Sequence, residues 1–272
     1  MLKTLIIGKN SNLSQQLCNR LENVSVVSSR EILHDITILS SFKNEKINLV
    51  FNNFQPATRL NDISNTQEYI INSILITSKV LEYFKNSSIN KIIYTSSSSV
   101  YGNNILCKES DELKPLNLHA SLKVASEKLI EKFCNEHQID YTIARIFNIY
   151  GGDDTFSVIS KMINAVKNKE ELTIVNNGNA IRDFIHIDDV VNIYSKLLSM
   201  KDIKIINIGT GEGVSIKTIL DMLKNSGFEL KTNNIERDEL KISTADNSLL
   251  FDLVGRYCFK NMEQYLKKKL QV

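Results

Sequence analysis

Strand-like and helix-like segments alternate through the first 150 residues, and that alternation restricts the chain more than any other feature. Apolar, β-branched runs stand at 3–7, 25–27, 49–51, 91–95 and 141–146, with a short one at 36–38. Between them, apolar residues recur at helical spacing over 12–21, 67–84 and 118–133. Strands joined by helices cannot pair as tight hairpins, so they lie parallel with a crossover each time. Right-handed crossovers then predict an α/β fold: a Rossmann-type doubly wound parallel sheet with helices on both faces. After about residue 151 the pattern loosens. Strands at 172–175 and 205–208 mix with helices at 188–198 and 216–223. The expectation is a Rossmann region over 1–150 and a smaller C-terminal α/β substrate lobe over 151–272, interleaved as one structural unit.

The loop after the first strand reads Gly8-Lys9-Asn10-Ser11-Asn12-Leu13-Ser14 and opens a helix. At this place in such a fold, backbone N–H groups and the helix start can hold the pyrophosphate of a dinucleotide. Gly8, Ser11, Asn12 and Leu13 are the candidates. Only the first glycine of the usual pattern is present, and Ser11 and Ser14 fill the other two places, so an ordinary strand–helix turn remains the competing reading. The second strand ends in Ser28-Ser29-Arg30, where dinucleotide folds commonly carry an acid for the ribose hydroxyls. A carboxylate repels a 2′-phosphate, whereas Ser29 and Arg30 accept one. NADP(H) is therefore favoured and NAD(H) stays open, with a merely solvated Arg30 as the alternative.

Composition removes other classes. With 42% hydrophobic and 24% charged residues the chain suits a soluble globular protein. A net charge of +2 gives no electrostatic case for nucleic acid or an anionic membrane as partner. Cys18, Cys107, Cys134 and Cys258 lie too far apart for a metal knuckle and read as buried small hydrophobes, so no metal is expected. The apolar run at 5–7 is too short for a signal peptide or a spanning helix, which makes the cytoplasm the expected location.

Five segments then occur in order: Tyr94-Thr95-Ser96-Ser97-Ser98-Ser99-Val100-Tyr101-Gly102; Pro115 to Lys123; Arg145-Ile146-Phe147-Asn148-Ile149-Tyr150-Gly151; Gly178 to Val190, containing Arg182-Asp183-Phe184; and Asn207-Ile208-Gly209-Thr210-Gly211, with Arg237 and Asp246-Asn247-Ser248 beyond. Together they resemble the extended short-chain dehydrogenase/reductases, the NAD(P)-dependent nucleotide-sugar epimerase/dehydratase/reductase group, over essentially the whole chain.

The resemblance implies hydride exchange between a nicotinamide and a sugar carbon, with a proton moving at the sugar oxygen. Ser97 then matches the catalytic hydroxyl, and Lys123 the lysine that binds the nicotinamide ribose and supplies positive charge. The family's acid/base is a tyrosine, and this chain has His119 there, on one helix face with Lys123. The neighbouring cation favours neutral imidazole, so His119 acts directly, acts through an intermediary, or is replaced by another donor; an inactive site also stays open. Asn53 and Phe54 follow the third strand beside the cofactor, where the family has small residues, and Phe54 and Gln55 narrow that groove. Ser98, Asn148, Arg182 and Arg237 match the substrate side, the two arginines clamping a nucleotide diphosphate.

Ser98 and Ser99 stand where the family's dehydratases carry an Asp-Glu pair, and hydroxyls do not replace carboxylates in that chemistry. The expected activity is an NADPH-dependent reductase of a nucleotide-linked 4-keto-6-deoxy sugar for surface polysaccharide synthesis. A NAD-dependent C4 epimerase and a non-catalytic nucleotide-sugar-binding or partner protein are the alternatives. The resemblance also implies a homodimer formed through the helices at 67–84 and 118–133.

Overall fold

The computed structural model describes residues 2–53, 66–256 and 258–271. In chain order, β1 (Lys3–Ile7), α1 (Asn12–Arg20), β2 (Val24–Val27), α2 (Ser29–His34) and β3 (Ile47–Phe51) come first. After them come α3 (Thr66–Ile70), α4 (Ile76–Phe84), β4 (Ile89–Ser97), β5 (Asn104–Cys107), α5 (Leu118–His137) and β6 (Asp140–Ile146). Next are β7 (Asn148–Tyr150), α6 (Val158–Asn168), β8 (Leu172–Val175), β9 (Ile181–His186), α7 (Ile187–Leu197) and β10 (Ile205–Ile208). The chain closes with β11 (Gly213–Ser215), α8 (Ile216–Asn225), β12 (Thr232–Ile235), β13 (Ile242–Ala245), α9 (Ser248–Val254) and α10 (Met262–Leu270).

The chain divides into two compact units. The first takes Met1–Val100, Pro115–Arg145 and Val191–Ile206; the second takes Tyr101–Lys114, Ile146–Val190 and Asn207–Val272. A six-stranded sheet carries the first unit, in the order β10-β6-β4-β3-β1-β2, with β1 parallel to both β2 and β3, and β3 parallel to β4. This is a Rossmann-like doubly wound sheet in which the strand order reverses between β1 and β3. All five residues of β3 are buried, which is why it reads as one unbroken apolar run.

Two expectations are corrected here. Residues 36–38 do not form a strand: Ile36–Phe42 is a 3₁₀ helix, capped by Asp35, whose Oδ1 accepts from Thr37 N at 2.8 Å. Leu39 and Phe42, three apart, both enter the core, so the local period is three and not two. The second correction concerns 205–208. This strand does not belong to a C-terminal lobe but is the edge of the six-stranded sheet, because its partner is β6.

Gly8 turns the chain between β1 and α1 with φ of +114°, and a Cβ there would run into the Asn52 carbonyl at the end of β3. Gly8→Ala is therefore expected to destabilise the fold by about 1–3 kcal/mol, from an unfavourable φ joined to a backbone clash. A thermal melt of the variant checks this; an unchanged midpoint would mean the turn relaxes freely.

The second unit holds a five-stranded sheet, β11-β9-β13-β5 with β7 paired to β9, and a two-stranded ribbon of β12 and β8. Its core gathers Tyr150, Ile159, Met162, Phe184, Ile219 and Leu266. Asp183 is fully buried at its centre. Its Oδ1 accepts from Thr210 N at 2.8 Å and Thr210 Oγ1 at 2.7 Å, and its Oδ2 accepts from Gly211 N at 2.9 Å and Ala245 N at 3.2 Å. A buried carboxylate is tolerated only with such a set of donors. Cys107 and Cys134 are buried as expected, but Cys18 and Cys258 are exposed free thiols. Among the described residues no helix is long and apolar enough to cross a membrane, and no metal-holding cluster is found.

Candidate active site

In the first unit the candidate residues converge on the ends of β1, β3 and β4. Ser11 caps α1, its hydroxyl accepting from Ser14 N at 3.4 Å, so this hydroxyl is occupied by the helix start. α1 has no acid in its first turn, where Asn12 and Leu13 stand, so its own sequence does not offset the positive end of the helix. Ser14 is fully buried and its Oγ accepts from Asn52 Nδ2 at 3.1 Å. Asn52 Oδ1 in turn accepts from Thr95 Oγ1 on β4. Because Thr95 gives its one proton to Asn52, the Tyr194 hydroxyl at 2.8 Å donates to Thr95. A buried polar ladder thus ties the first loop to three parts of the unit. Asn53, expected beside the cofactor, donates instead to Asn72 O at 2.7 Å and Thr77 Oγ1 at 3.1 Å. Phe54 and Gln55 lie outside the described residues.

At the end of β2, Ser28 forms a capping box with Glu31. The Ser28 hydroxyl accepts from Arg30 N at 3.2 Å, and Glu31 Oε2 accepts from Ser28 N at 3.0 Å. The nearest carboxylate is therefore turned back onto its own helix. Arg30 is exposed, and its guanidinium makes no hydrogen bond or ion pair among the described residues.

Helix α5 presents His119, Lys123 and Glu127 one turn apart on a single face. Asn117 starts the helix, its Oδ1 accepting from Ala120 N at 2.9 Å. Lys123 is buried; its Nζ donates to Thr95 O at 2.7 Å and lies 5.0 Å from the Tyr94 ring centre. Burial pulls its pKa down to about 7, against the Glu127 carboxylate, which raises it. His119 Nδ1 is buried without a hydrogen-bond partner. Burial first, and then the Lys123 charge, bring the imidazole down to about 3, so it is neutral at any ordinary pH. Ser97 Oγ accepts from Ser99 N at 3.2 Å and Ser99 Oγ at 3.0 Å, which leaves its own proton to give. Ser98 is buried in the 3₁₀ turn Ser98–Tyr101.

Glu127 is a residue that sequence reasoning passed over. It accepts from Arg145 in bidentate fashion, Nε to Oε1 at 3.1 Å and Nη2 to Oε2 at 2.8 Å, and also from Ser96 Oγ. Its spacing of four from Lys123 was the available signal.

The substrate-side candidates lie in the second unit. Asn148 Nδ2 donates to Asp183 O at 3.0 Å. Arg182 pairs neither with Asp183 nor with Asp188. Its Nη1 donates to Ile181 O at 2.9 Å and Lys241 O at 3.3 Å, and its Nη2 reaches Leu240 O and Glu239 Oε2, the latter at 3.4 Å. Arg237 has an exposed side chain, while its backbone pairs with Asn176.

A model of the NAD dependent epimerase/dehydratase family matches residues 5–209. The chain belongs to that family. Epimerase/dehydratase relatives include a dTDP-D-glucose 4,6-dehydratase of Dictyostelium discoideum, 28% identical over 73% of this chain and 51% of its own length. The chain spans about half to two-thirds of the length of the curated relatives it first matches. Two solved structures share the fold at 23% identity. MoeE5 in complex with UDP-glucuronic acid and NAD has a TM-score of 0.90 over 99% of this chain and 98% of that one. UDP-glucuronic acid 4-epimerase from Bacillus cereus, in complex with UDP-glucuronic acid and NAD, gives 0.87 over 99% and 98%. The residues of this epimerase/dehydratase chain fit a dinucleotide: the close Gly8 turn and the acid-free first turn of α1 suit its phosphates.

Proposed function

We propose that this protein is an NADPH-dependent reductase of a nucleotide-linked 4-keto-6-deoxy sugar, its product serving surface polysaccharide synthesis. NADPH, when bound, supplies the hydride. The observation that carries the cofactor choice is the end of β2, where Arg30 is free and Glu31 is folded back into a capping box. Ser97 and Lys123 are the groups that keep the family's chemistry, and the hydroxyls of Ser98 and Ser99 argue against dehydration. Ser97 donates to the reacting oxygen. His119, neutral, holds that oxygen by a hydrogen bond but has no spare proton to give. Lys123, with its pKa near 7, carries a transferable proton at neutral pH and is the proton reservoir in this reading.

A second reading, a C4 epimerase holding NAD, is supported by the NAD in both solved structures named above. The neutral His119 favours a third, a nucleotide-sugar-binding protein without turnover. For the assembly we propose a homodimer: Ile70 and Leu75 on the 66–84 helical segment and Leu118 on α5 are exposed apolar side chains.

Titration of the purified protein with NADPH and NADH tests the cofactor assignment. Arg30→Ala is expected to weaken NADPH by about tenfold to a hundredfold, the usual size of a lost charge-assisted contact, and to leave NADH nearly unchanged. Equal losses would remove the 2′-phosphate site. NAD retained through purification would select the epimerase, and binding of neither dinucleotide the non-catalytic protein.

A further inference from the structure

The guanidinium of Arg182 is mostly covered in this chain, by residues 239–241. Glu239 Oε2 sits 3.4 Å from Nη2, the Leu240 carbonyl accepts from the same nitrogen, and the Lys241 carbonyl accepts from Nη1 at 3.3 Å. The other oxygen of the carboxylate is held as well, Oε1 accepting from Asn176 Nδ2 at 3.1 Å. Asn176 also clasps the backbone at Arg237, donating to its carbonyl at 2.7 Å and accepting from its N–H at 3.1 Å. At the far end Lys241 N donates to Asn103 Oδ1 at 2.5 Å and Lys241 O accepts from Ile181 N at 2.9 Å. Three consecutive residues, 239–241, thus lie against Arg182 with a carboxylate on the guanidinium, and the 237–241 segment that carries them is fastened at both ends, by Asn176 and by Asn103.

We propose that Glu239 is a built-in competitor for Arg182, a carboxylate that occupies the guanidinium until a diphosphate displaces it and releases residues 237–241. This rests on the reading of Arg182 as a diphosphate ligand and adds the condition under which it becomes one. The geometry explains why the exchange runs in one direction. Glu239 offers Arg182 a single oxygen at a long 3.4 Å, and both side chains keep partial solvent contact, 14% and 20% exposed. Such a pair is weak. A diphosphate brings more negative charge and several oxygens matched to the guanidinium fork. A neutral sugar or a monocarboxylate offers no more than Glu239 already does, so the competitor makes the site selective for polyanions. The same exchange frees Arg237, whose backbone is held by Asn176 and whose side chain is already exposed, to join the anion.

Pyrophosphate is the probe, because it carries the charge without ribose, base or sugar. By calorimetry, Glu239→Ala and Glu239→Gln are each expected to bind pyrophosphate about five- to tenfold tighter than the wild type, since a partly exposed ion pair no longer has to be broken. Arg182→Ala is expected to lose the binding in either background. Hydrogen exchange gives a second readout: the Arg237 and Lys241 amides, both bonded to side chains here, are expected to exchange faster with pyrophosphate present. Unchanged or weaker binding in both Glu239 variants, with Arg182→Ala still losing it, overturns the competitor while leaving Arg182 a diphosphate ligand. Slower exchange at Arg237 and Lys241 overturns it too, because the segment would then close on the anion. Arg182→Ala binding as well as the wild type removes both the competitor and the reading beneath it.

Discussion

Lys123→Met is expected to reduce turnover by about a thousandfold or more, the size of effect seen when a group acting on the transferred proton is removed. The stem of the side chain is preserved in methionine, so packing against Tyr94 and β4 changes little, while the hydrogen bond to Thr95 O and the charge are lost. Stability and activity should separate in this variant. The lysine pKa falls from 10.5 to about 7 in the fold. Between those values the unfolded chain binds a proton that the folded chain does not, so Lys123 makes stability rise with pH through that window. In Lys123→Met that rise should vanish, and below pH 7 the variant should melt no lower than the wild type. Wild-type reduction, in turn, should be full below about pH 7 and decline above it as the ammonium is lost. With the imidazole neutral down to about 3, no inflection from His119 is expected above pH 5. Steady-state rates over pH 5–9, alongside melts of both proteins, check this. A methionine variant with wild-type rates would end the assignment of Lys123.

Glu127→Ala is expected to destabilise the fold severely. The Arg145–Glu127 pair has side chains only 4% and 2% exposed, and it joins α5 to β6 and, through Ser96, to β4. Removing one member leaves the Arg145 cation buried without its counter-charge, which costs about 3–5 kcal/mol. For a chain of this size that corresponds to a fall in melting temperature on the order of 10 °C. Joint replacement of Glu127 and Arg145 by apolar residues of similar volume should recover much of the loss, because no charge is then stranded. Equal melting temperatures for Glu127→Ala and wild type would show that water reaches this pair.

Much of the first unit was legible because its signals are local. The run of five buried residues in β3, the glycine that turns β1 into α1, and the one-turn spacing of His119 and Lys123 are each readable within a few residues. The 36–38 segment misled for a local reason too. Three β-type residues suggested a strand, but Asp35 ahead of them caps a helical turn, and a cap binding Thr37 competes directly with extended backbone. The candidate site was less legible than the fold. Seeing that Asn52 is held by Ser14, 38 residues away, or Thr95 by Tyr194, 99 away, requires the chain to be folded first.

By itself the sequence determined the alternation that makes a parallel sheet, the membership of the NAD dependent epimerase/dehydratase family, and which residue types stand at each expected site position. These follow from periodicity, backbone preference and motif, all properties of neighbouring residues. Tertiary structure alone decided that 205–208 completes the large sheet, that Glu127 is a buried counter-ion, that two of the four cysteines are exposed, and that Glu239 lies on Arg182 from 57 residues away. Each of these depends on partners distant in sequence, and on how far burial weakens the hold of water on a charge, which no local pattern encodes.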